Sequence, residues 1–332
     1  MYGGNGIIGY SDKSNAPKGT IIVGRVGEKC GNVRVSEADC WVTDNALMVN
    51  EYLRPVDVSF IHHSLDFAGL SQYRKKGGQP LITQSGIGIH RLFFPPLPEQ
   101  RKIAAILSTW DDSLATLARL IAAKQQQKRG LAEALLTGKK RLPGFEGEWE
   151  VVRLGEVADV TMGSSPSSTA YNDTAQGLPL IQGNADIKNR IAKPRVYTSE
   201  ITKECRAGDI ILSVRAPVGS VALTSVRACI GRGVASIRSL GSQDFLYQAL
   251  VFKENAWGNL MQGSTFESVT GKEVKDFPIP LPPLPEQRAI ASVLSTLDGE
   301  TSALTQLRAA LEQQKRGLMD VLLTGRVRVA VE

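Results

Sequence analysis

Residues 96–141 read PLPEQRKIAAILSTWDDSLATLARLIAAKQQQKRGLAEALLTGKKR, and residues 283–328 repeat this stretch as PLPEQRAIASVLSTLDGETSALTQLRAALEQQKRGLMDVLLTGRVR. The two segments align without a gap and are identical at 27 of 46 positions. A self-match of this strength marks an internal repeat. The chain is therefore organised around two copies of one element.

Each copy predicts one long helix. Pro98 and Pro285 stand where the helix begins, and a first turn tolerates proline. Gly138 and Gly325 follow the last apolar turn, where helices commonly end. A helix of about 38 residues, at about 1.5 Å per residue, would be roughly 57 Å long.

The apolar residues of each copy step alternately by four and three, which is typical of a heptad seam. The first seam is Ile103, Leu107, Trp110, Leu114, Leu117 and Ile121. The second seam is Ile290, Leu294, Leu297, Leu304 and Leu311, interrupted by Thr301 and Arg308. We predict that the two helices pair as an antiparallel coiled coil, although each could instead pack only on its own neighbouring domain.

The ends of the two copies are more alike than a coiled coil requires, since QQKRGL and LLTG are identical in both. We therefore predict that these ends face a partner. The candidate partner-binding residues are Glu99, Gln100, Arg101, Lys128 and Arg129, with Glu286, Gln287, Arg288, Lys315 and Arg316 in the second copy.

The segment 148–282, which follows a first helix and linker at 96–147, predicts a domain of short strands and turns. Its strand-like runs include VVRLGEVADVTMG, GDIILSVRAPVGSVAL and ACIGRGVASI, while helical character is confined to a stretch such as DFLYQALVFKENAW. Because strands follow strands through short Gly and Pro turns, the fold class is α+β with a mostly antiparallel sheet.

Residues 1–95 resemble a shortened form of the same domain. The run from Lys18 to Val49 tracks the run from Ala207 to Ile237, with one gap, and this places Cys40 opposite Cys229. The counterpart of about 148–190 is missing from this first domain. The missing front has three possible explanations: a translation start assigned too late, a gene remnant, or a half-domain supplied by another chain.

The whole chain has a formal net charge of +6, and its basic residues are concentrated in one segment. The window 188–238 contains ten basic residues but only Glu200, Glu204 and Asp209 as acids. Charge segregated in this way is what a phosphate-facing surface needs.

Several motifs argue against other functions. Gly4, Gly6 and Gly9 match GxGxxG, but no strand precedes them, so we interpret them as a turn. The sequence has no phosphate-binding GxxxxGK[ST] loop, no Asn-Pro-Pro or Asp-Pro-Pro string, and no GxSxG elbow. It also has no CxxC pair, no run apolar enough to span a membrane and no signal-peptide pattern. We predict a cytoplasmic chain that is not an enzyme.

The helix from LPEQR to KRGL, present twice and each time after a strand-rich domain, resembles the specificity subunit of type I restriction-modification systems. The resemblance covers essentially the whole chain. It implies two target recognition domains joined by two long helices that pair as a spacer, 1–95 and 148–282 being the domains and 96–147 and 283–328 carrying the helices. The first domain departs from the family pattern because its front is missing.

The resemblance implies that double-stranded DNA, methylation subunits and a restriction subunit are partners. It also implies that S-adenosylmethionine and ATP are used by those subunits, with no cofactor in this chain. The paired helices would set the spacing of a bipartite DNA target. Exposed strand edges in the shortened first domain could in addition pair with a second copy.

Candidate DNA-binding residues lie in Gly-flanked loops, where side chains can leave the scaffold to contact phosphates and base edges. In the second domain they are Ser164, Ser165, Ser167, Gln182, Asn184, Lys188, Arg190, Arg215, Arg232, Ser264 and Thr265. In the first domain they are Asn5, Arg25, Lys29 and Thr43. Two alternatives remain open: an assembly scaffold that reads no sequence, and a stand-alone DNA-binding regulator.

Overall fold

The computed structural model describes residues 1–75, 79–257 and 268–331. The chain forms two compact units, unit 1 from residues 1–121 and 303–332 and unit 2 from residues 122–302. Two long helices, α3 Leu97–Leu136 and α7 Leu284–Leu322, each contribute one part to either unit. The predicted helices are confirmed, and each ends before a glycine with positive φ, Gly138 or Gly325.

Unit 1 carries a small antiparallel sheet in the order β4-β3-β5 and a separate hairpin of β1 and β2. Its strands are β1 Tyr2–Gly3, β2 Gly6–Ile7, β3 Ile21–Gly24, β4 Val33–Val35 and β5 Ala46–Met48. Its shorter helices are α1 Val58–Phe67, a 3-10 turn Leu70–Tyr73 and α2 Gln84–Gly88.

The core of unit 1 joins this sheet to the long helices. Ile21 and Phe60 are fully buried against Ile103 and Leu107 of α3, and Leu322 of α7 closes the same cluster. The sheet and helix α1 therefore bury the apolar stripe at the start of α3, which would otherwise face water.

Unit 2 contains two packed sheets, in the orders β10-β11-β15-β14-β17-β7 and β13-β16-β9-β12-β8, and a β18-β6 ribbon. The strands are β6 Glu150–Arg153, β7 Ala158–Met162, β8 Tyr171–Asn172, β9 Leu178–Ile181, β10 Ile187–Lys188, β11 Ile191–Ala192, β12 Val196–Thr198, β13 Glu204–Cys205, β14 Ile210–Ser213, β15 Val221–Leu223, β16 Ala228–Ile230, β17 Val234–Ser239 and β18 Pro278–Leu281. The shorter helices are α4 Leu154–Val157, α5 Gln243–Phe252 and α6 Gly271–Lys275, with 3-10 turns at Ser168–Ala170 and Asn184–Asp186.

The pairing in unit 2 is mostly antiparallel, as the sequence predicts for an α+β fold. Two pairings between described strands are parallel, β11 with β15 and β9 with β16. In unit 1 the central strand β3 is flanked by β4 and β5, as β14 is flanked by β15 and β17 in unit 2. This shared order agrees with the resemblance between the two domains. The described helices include none that is both long and apolar enough to cross a bilayer.

The long helices run antiparallel to each other within each unit, and ion pairs join them. In unit 2, Lys124 Nζ lies 2.7 Å from Glu300 Oε2 and Lys128 Nζ lies 2.6 Å from Asp298 Oδ1, so rising numbers on α3 meet falling numbers on α7. In unit 1, Lys315 Nζ lies 2.5 Å from Asp111 Oδ1. The predicted antiparallel coiled coil is confirmed.

Candidate nucleic-acid interface

Loops at one end of the unit 2 sheets surround a pocket of about 560 Å³. We call it the recognition pocket. It brings together five of the predicted DNA-binding residues from four separate loops. They are Ser165, Gln182, Asn184, Arg215 and Arg232.

The first wall of the recognition pocket is the loop after β7. A Cβ atom added at Gly163 would collide with the Gly231 carbonyl oxygen, so glycine lets this loop lie directly against the loop after β16. The Ser164 N–H donates to the Ile230 carbonyl over 2.9 Å, and the Arg232 N–H donates to Ser165 Oγ over 3.2 Å. The two loops are thereby held in a fixed relation.

The second wall is the Gln-Gly-Asn-Ala-Asp turn after β9. The buried carboxylate of Asp186 accepts a hydrogen bond from the Gln182 N–H over 2.8 Å and another from Arg195 Nε over 2.7 Å. None of the hydrogen bonds between described residues engages the side-chain amides of Gln182 or Asn184. Both amides are therefore available to a ligand, and amides of this kind match adenine edges.

The charges of the recognition pocket come from Arg215 and Arg232. Both side chains are exposed, and neither guanidinium takes part in an ion pair or hydrogen bond with a described residue. Arg215 is held through its backbone, which bridges to Ser268. Two uncompensated guanidinium groups beside two free amides form a surface suited to phosphates and to guanine or adenine edges.

Several predicted residues of unit 2 lie outside the recognition pocket. The Ser167 hydroxyl caps the 3-10 turn at Ser168–Ala170, which is turn chemistry. Arg190 forms an ion pair with Glu254 and also donates to the Val221 carbonyl, so it stabilises the scaffold, and Lys188 lies on the nearby strand β10. The Ser164 side chain does not line the pocket. Ser264 and Thr265 lie outside the described residues.

Among the lining residues of the recognition pocket that the sequence analysis missed, Ser168 and Tyr171 carry hydroxyl groups. Tyr171 ends the polar run that begins at Ser164, so an aromatic residue directly after a Ser-rich loop was the available signal. An aromatic ring gives the pocket a surface on which a base can stack.

Unit 1 brings its own candidates close together around the β1–β2 turn. Asn5 is exposed at this hairpin turn, between Gly4 in the turn and Gly6 at the start of β2. The prediction that no strand precedes these glycines is wrong, because β1 does, but the chain returns into β2 and not into the helix that a dinucleotide site needs. A Cβ at Gly4 would lie 2.5 Å from the Val26 carbonyl oxygen, so the turn packs directly beside Arg25. Arg25 Nη1 donates to the Asp44 carbonyl over 3.2 Å, next to Thr43. Lys29 is exposed in the loop after β3.

Ion pairs divide the basic window of unit 2. Four of its arginines are paired with carboxylates, namely Arg190, Arg195, Arg227 and Arg238. No ion pair among described residues involves the other six, which are Lys188, Lys193, Lys203, Arg206, Arg215 and Arg232. The unpaired cations carry the phosphate-attracting charge.

The predicted partner-binding residues fall into two groups. Six of them have their polar groups engaged inside the chain: Glu99, Gln100, Lys128, Glu286, Gln287 and Lys315. The two glutamates and two glutamines are also buried, which corrects the expectation that they face a partner. Four remain exposed, at matched positions of the two helices: Arg101, Arg129, Arg288 and Arg316.

The buried members of the first group link each helix start to a neighbouring segment. The Gln100 amide oxygen accepts the Asp57 N–H over 3.0 Å, and the Gln287 amide oxygen accepts the Ser242 N–H over 3.3 Å. The Arg328 guanidinium holds the pKa of the buried Glu99 carboxyl below its usual value. These residues position α1 and α5 on the long helices.

The chain matches a model of one protein family along most of its length. This family is described as the type I restriction modification DNA specificity domain, and the match covers residues 2–124 and 146–313. A putative type I restriction enzyme MjaX specificity subunit from Methanocaldococcus jannaschii is 34% identical over 265 residues. That alignment covers 76% of this chain and 62% of the relative. The MjaVIII specificity subunit of the same organism is 25% identical, with 98% and 80% covered.

Solved structures agree with this match. A chain in a structure of an assembled type I restriction-modification system is 28% identical, with a TM-score of 0.61 and coverage of 94% of this chain and 83% of that one. The S subunit of a type I system from M. genitalium has a TM-score of 0.69 at 19% identity, covering 97% and 87%. The second likeness shows the fold alone.

Proposed function

This chain belongs to the type I restriction modification DNA specificity domain family, and we propose from that membership that it is the sequence-reading subunit of a type I restriction-modification complex. The observation that carries the proposal is the recognition pocket. It holds two guanidinium groups and two side-chain amides, all without partners among the described residues, on loops fixed by hydrogen bonds. Duplex DNA is the ligand whose phosphates and base edges match this set.

Reading proceeds by docking and then by contact with base edges. Cations around the pocket bind phosphates and set the register, without distinguishing sequences. Arg215 or Arg232 then pairs with a guanine, and Gln182 or Asn184 with an adenine. Each good two-bond contact of this kind contributes about 1–3 kcal/mol of discrimination. Hydrogen bonds already fix the backbone of the Gln182 turn and of the Arg232 loop. Binding therefore costs little conformational entropy in these loops.

Unit 1 supplies the reader for the second part of a bipartite target. Its candidates Asn5, Arg25, Lys29 and Thr43 are grouped around one tight turn. The long helices connect this reader to the recognition pocket along the chain, so their length is what sets the spacing between the two parts of the target.

The exposed, matched face of the long helices docks the methylation subunits. Arg129 and Arg316 are exposed at equivalent positions, each preceded by exposed glutamines and followed by a helical glycine, Gly130 or Gly317. No packing within the described chain explains these glycines, because a Cβ at either would meet nothing within 4 Å. Two copies of one surface suit two copies of one partner, and the restriction subunit joins that assembly.

The catalytic steps belong to those partner subunits. We propose that S-adenosylmethionine and ATP bind there, and that this chain holds no cofactor and supplies only the DNA address. A cytoplasmic location follows from the proposed substrate, which is DNA in the cell.

Unit 1 also offers a surface for self-association. β5 pairs with β3 along one edge, while no described strand pairs with its other edge; its unit 2 counterpart β17 carries both β14 and β7. A groove of about 620 Å³ is lined by Met48 of β5, by Tyr52 and by the segment that precedes β3. Open edges accept further strands. Two copies joined through β5 would dissociate in a Met48→Pro variant, which sedimentation of both proteins would measure.

Co-expression with the cognate methylation subunit, gel filtration and genome-wide mapping of methylated adenines test the main proposal. We expect a stable complex and a split methylated motif. A stable complex without any motif would make the chain a scaffold, and tight specific DNA binding without the partner would make it a stand-alone regulator. A symmetric motif would mean that two copies each supply unit 2, with unit 1 not reading DNA.

A further inference from the structure

A second charged cleft lies in unit 2, separate from the recognition pocket. It has a volume of about 1040 Å³ and shares no lining residue with that pocket. Its cations come from the position before β16, from β17, from helix α6 and from the segment around β13. They are Lys203, Arg206, Arg227, Arg238 and Lys275, and together they define the basic cleft.

The carboxylates in the basic cleft are largely neutralised by its own arginines. Glu204 Oε2 accepts from Arg227 Nε over 2.5 Å, and the buried Asp209 lies 2.5 Å from Arg238 Nη2. The third acid that lines the cleft is Asp159. Five cations against three carboxylates leave the basic cleft a formal net charge of +2, which comes from the cations that are not paired.

Those cations are Lys203, Arg206 and Lys275. All three side chains are exposed, and none forms an ion pair with a described residue. Exposed lysine and arginine side chains that converge on one concave surface attract a chain of phosphates. The basic cleft thus has the chemistry of a phosphodiester-binding surface.

The basic cleft and the recognition pocket are physically connected. Arg227 precedes β16 and Arg232 follows it, so a cleft residue and a pocket residue lie five positions apart in the chain, a reach of at most about 17 Å. Across the same boundary, the Thr202 hydroxyl of the cleft donates to the Ser164 carbonyl of the first pocket wall. A reach of about 17 Å is half a turn of duplex DNA.

We propose that the basic cleft binds the phosphodiester backbone of the duplex whose bases enter the recognition pocket. This inference rests on the proposed function and extends it to three residues that contribute affinity but no sequence preference. Lys275 is the most informative of them, because it comes from α6, far along the chain from the basic window.

The test measures the affinity of the full chain for a fluorescent DNA duplex of arbitrary sequence over a range of salt concentrations. The variant is Lys203→Ala/Lys275→Ala. The matched control is Lys140→Ala/Lys272→Ala, which removes two exposed lysines of the same unit outside the cleft. The slope of log affinity against log salt is negative, and each lost phosphate contact makes it shallower by about 0.9. We expect a slope shallower by about 2 in the variant and an unchanged slope in the control.

Three results would overturn the proposal: a variant slope equal to that of the unmodified chain, an equally shallow slope in the control, and tighter binding of an RNA duplex than of DNA. The methylation motif of the variant complex should be unchanged, since backbone contacts carry no sequence information. If the unmodified complex yields no motif, the proposed function fails. The salt slope on arbitrary DNA still decides whether the basic cleft binds phosphates.

Discussion

Arg141 and Glu286 form a two-bond ion pair, with Arg141 Nε 2.6 Å from Glu286 Oε1 and Nη2 2.6 Å from Oε2. The same pair recurs in unit 1, where Arg328 Nε and Nη2 lie 2.8 and 2.6 Å from the two oxygens of Glu99. In each unit, an arginine in the segment that follows one long helix binds a glutamate in the first turn of the other. The same ion pair therefore links the two copies of the repeat once in each unit.

Loss of either arginine should destabilise its unit. Glu286 and Glu99 are 0% and 2% exposed, so each variant leaves a buried carboxylate without its cation. We expect Arg141→Ala to lower the melting temperature by about 5–10 °C. Arg328→Ala should do less, because Arg328 is 60% exposed and Arg141 only 22%. Each carboxylate keeps one donor in its variant, the Val329 N–H on Glu99 and Trp149 Nε1 on Glu286.

Arg153→Ala is the matched control for both variants. Arg153 lies 3.7 Å from Asp276, and both side chains are exposed, so this ion pair contributes little to stability. Differential scanning calorimetry of the three variants makes the comparison. A melting temperature for Arg141→Ala as close to that of the unmodified chain as the control's would show that the pair is not a structural tie.

His63 should make unit 1 sensitive to mild acid. Burial lowers the pKa of His63 to about 4, below the ordinary value near 6.5, and the nearby carboxylate of Asp111, 3.7 Å away, offsets only part of this. Between pH 6.5 and 4 the unfolded chain takes up a proton that the folded chain does not. Stability contributed by neutral His63 is thus lost as pH falls through this window.

A His63→Gln variant should flatten that pH dependence without breaking the contact to Asp111. Gln248 occupies the equivalent position in α5, and its Nε2 donates to Asp298 over 2.8 Å. Chemical denaturation at several pH values between 4 and 7 measures the change in the free energy of unfolding.

The control is His90→Gln, which removes another histidine of the same unit, one bonded to Tyr73. An identical pH profile for the His63 variant and the unmodified chain would contradict the prediction. His62, whose pKa is also lowered by burial, acts in the same direction.

The repeat made the helices and their pairing predictable, because heptad spacing and a closing glycine are local signals. The role of Glu99 was not predictable in the same way. An identical charged residue in both copies is expected equally from a docking surface and from an internal ion pair, and only the return of the chain after Gly325 brings Arg328 onto Glu99.

The candidate site was predictable in part for a related reason. Loops flanked by glycine could be found from the sequence, and five of their residues meet in the recognition pocket. The convergence of Tyr171 on that pocket, and of Lys275 on the basic cleft, depends on sheet pairing over long sequence separations. No local pattern in the sequence encodes that convergence.

Arg232 should determine one base pair of the target. Arg232→Ala removes an exposed guanidinium whose backbone is held by Ser165 and whose side chain has no partner among the described residues. We expect a loss of about 1–3 kcal/mol in binding the cognate site and a relaxed preference at one position of the methylated motif. Methylation mapping of the co-expressed complex measures this change of preference.

Arg195→Ala is the control, because its guanidinium is bonded to Asp186, which holds the Gln182 turn. It should shift that turn and weaken binding, without relaxing the preference at one particular position of the motif. An unchanged motif in the Arg232 variant would remove it from the reading surface.

Gly130 and Gly317 offer the sharpest test of partner docking. Both lie inside long helices at equivalent, exposed positions, where glycine is less favourable than alanine by about 1 kcal/mol and where a Cβ meets nothing within 4 Å. The Gly130→Ala/Gly317→Ala variant should therefore melt at a higher temperature than the unmodified chain. If the glycines let a methylation subunit's backbone approach closely, the same variant should bind that subunit more weakly. The matched control is Gly299→Ala, because Gly299 is an equally open helical glycine whose counterpart in the first copy is Asp112.

This control variant should raise the melting temperature and leave association with the methylation subunit unchanged. Calorimetric titration of the methylation subunit into each protein separates the two effects, and equal affinities for both variants would place the docking surface elsewhere on the helices.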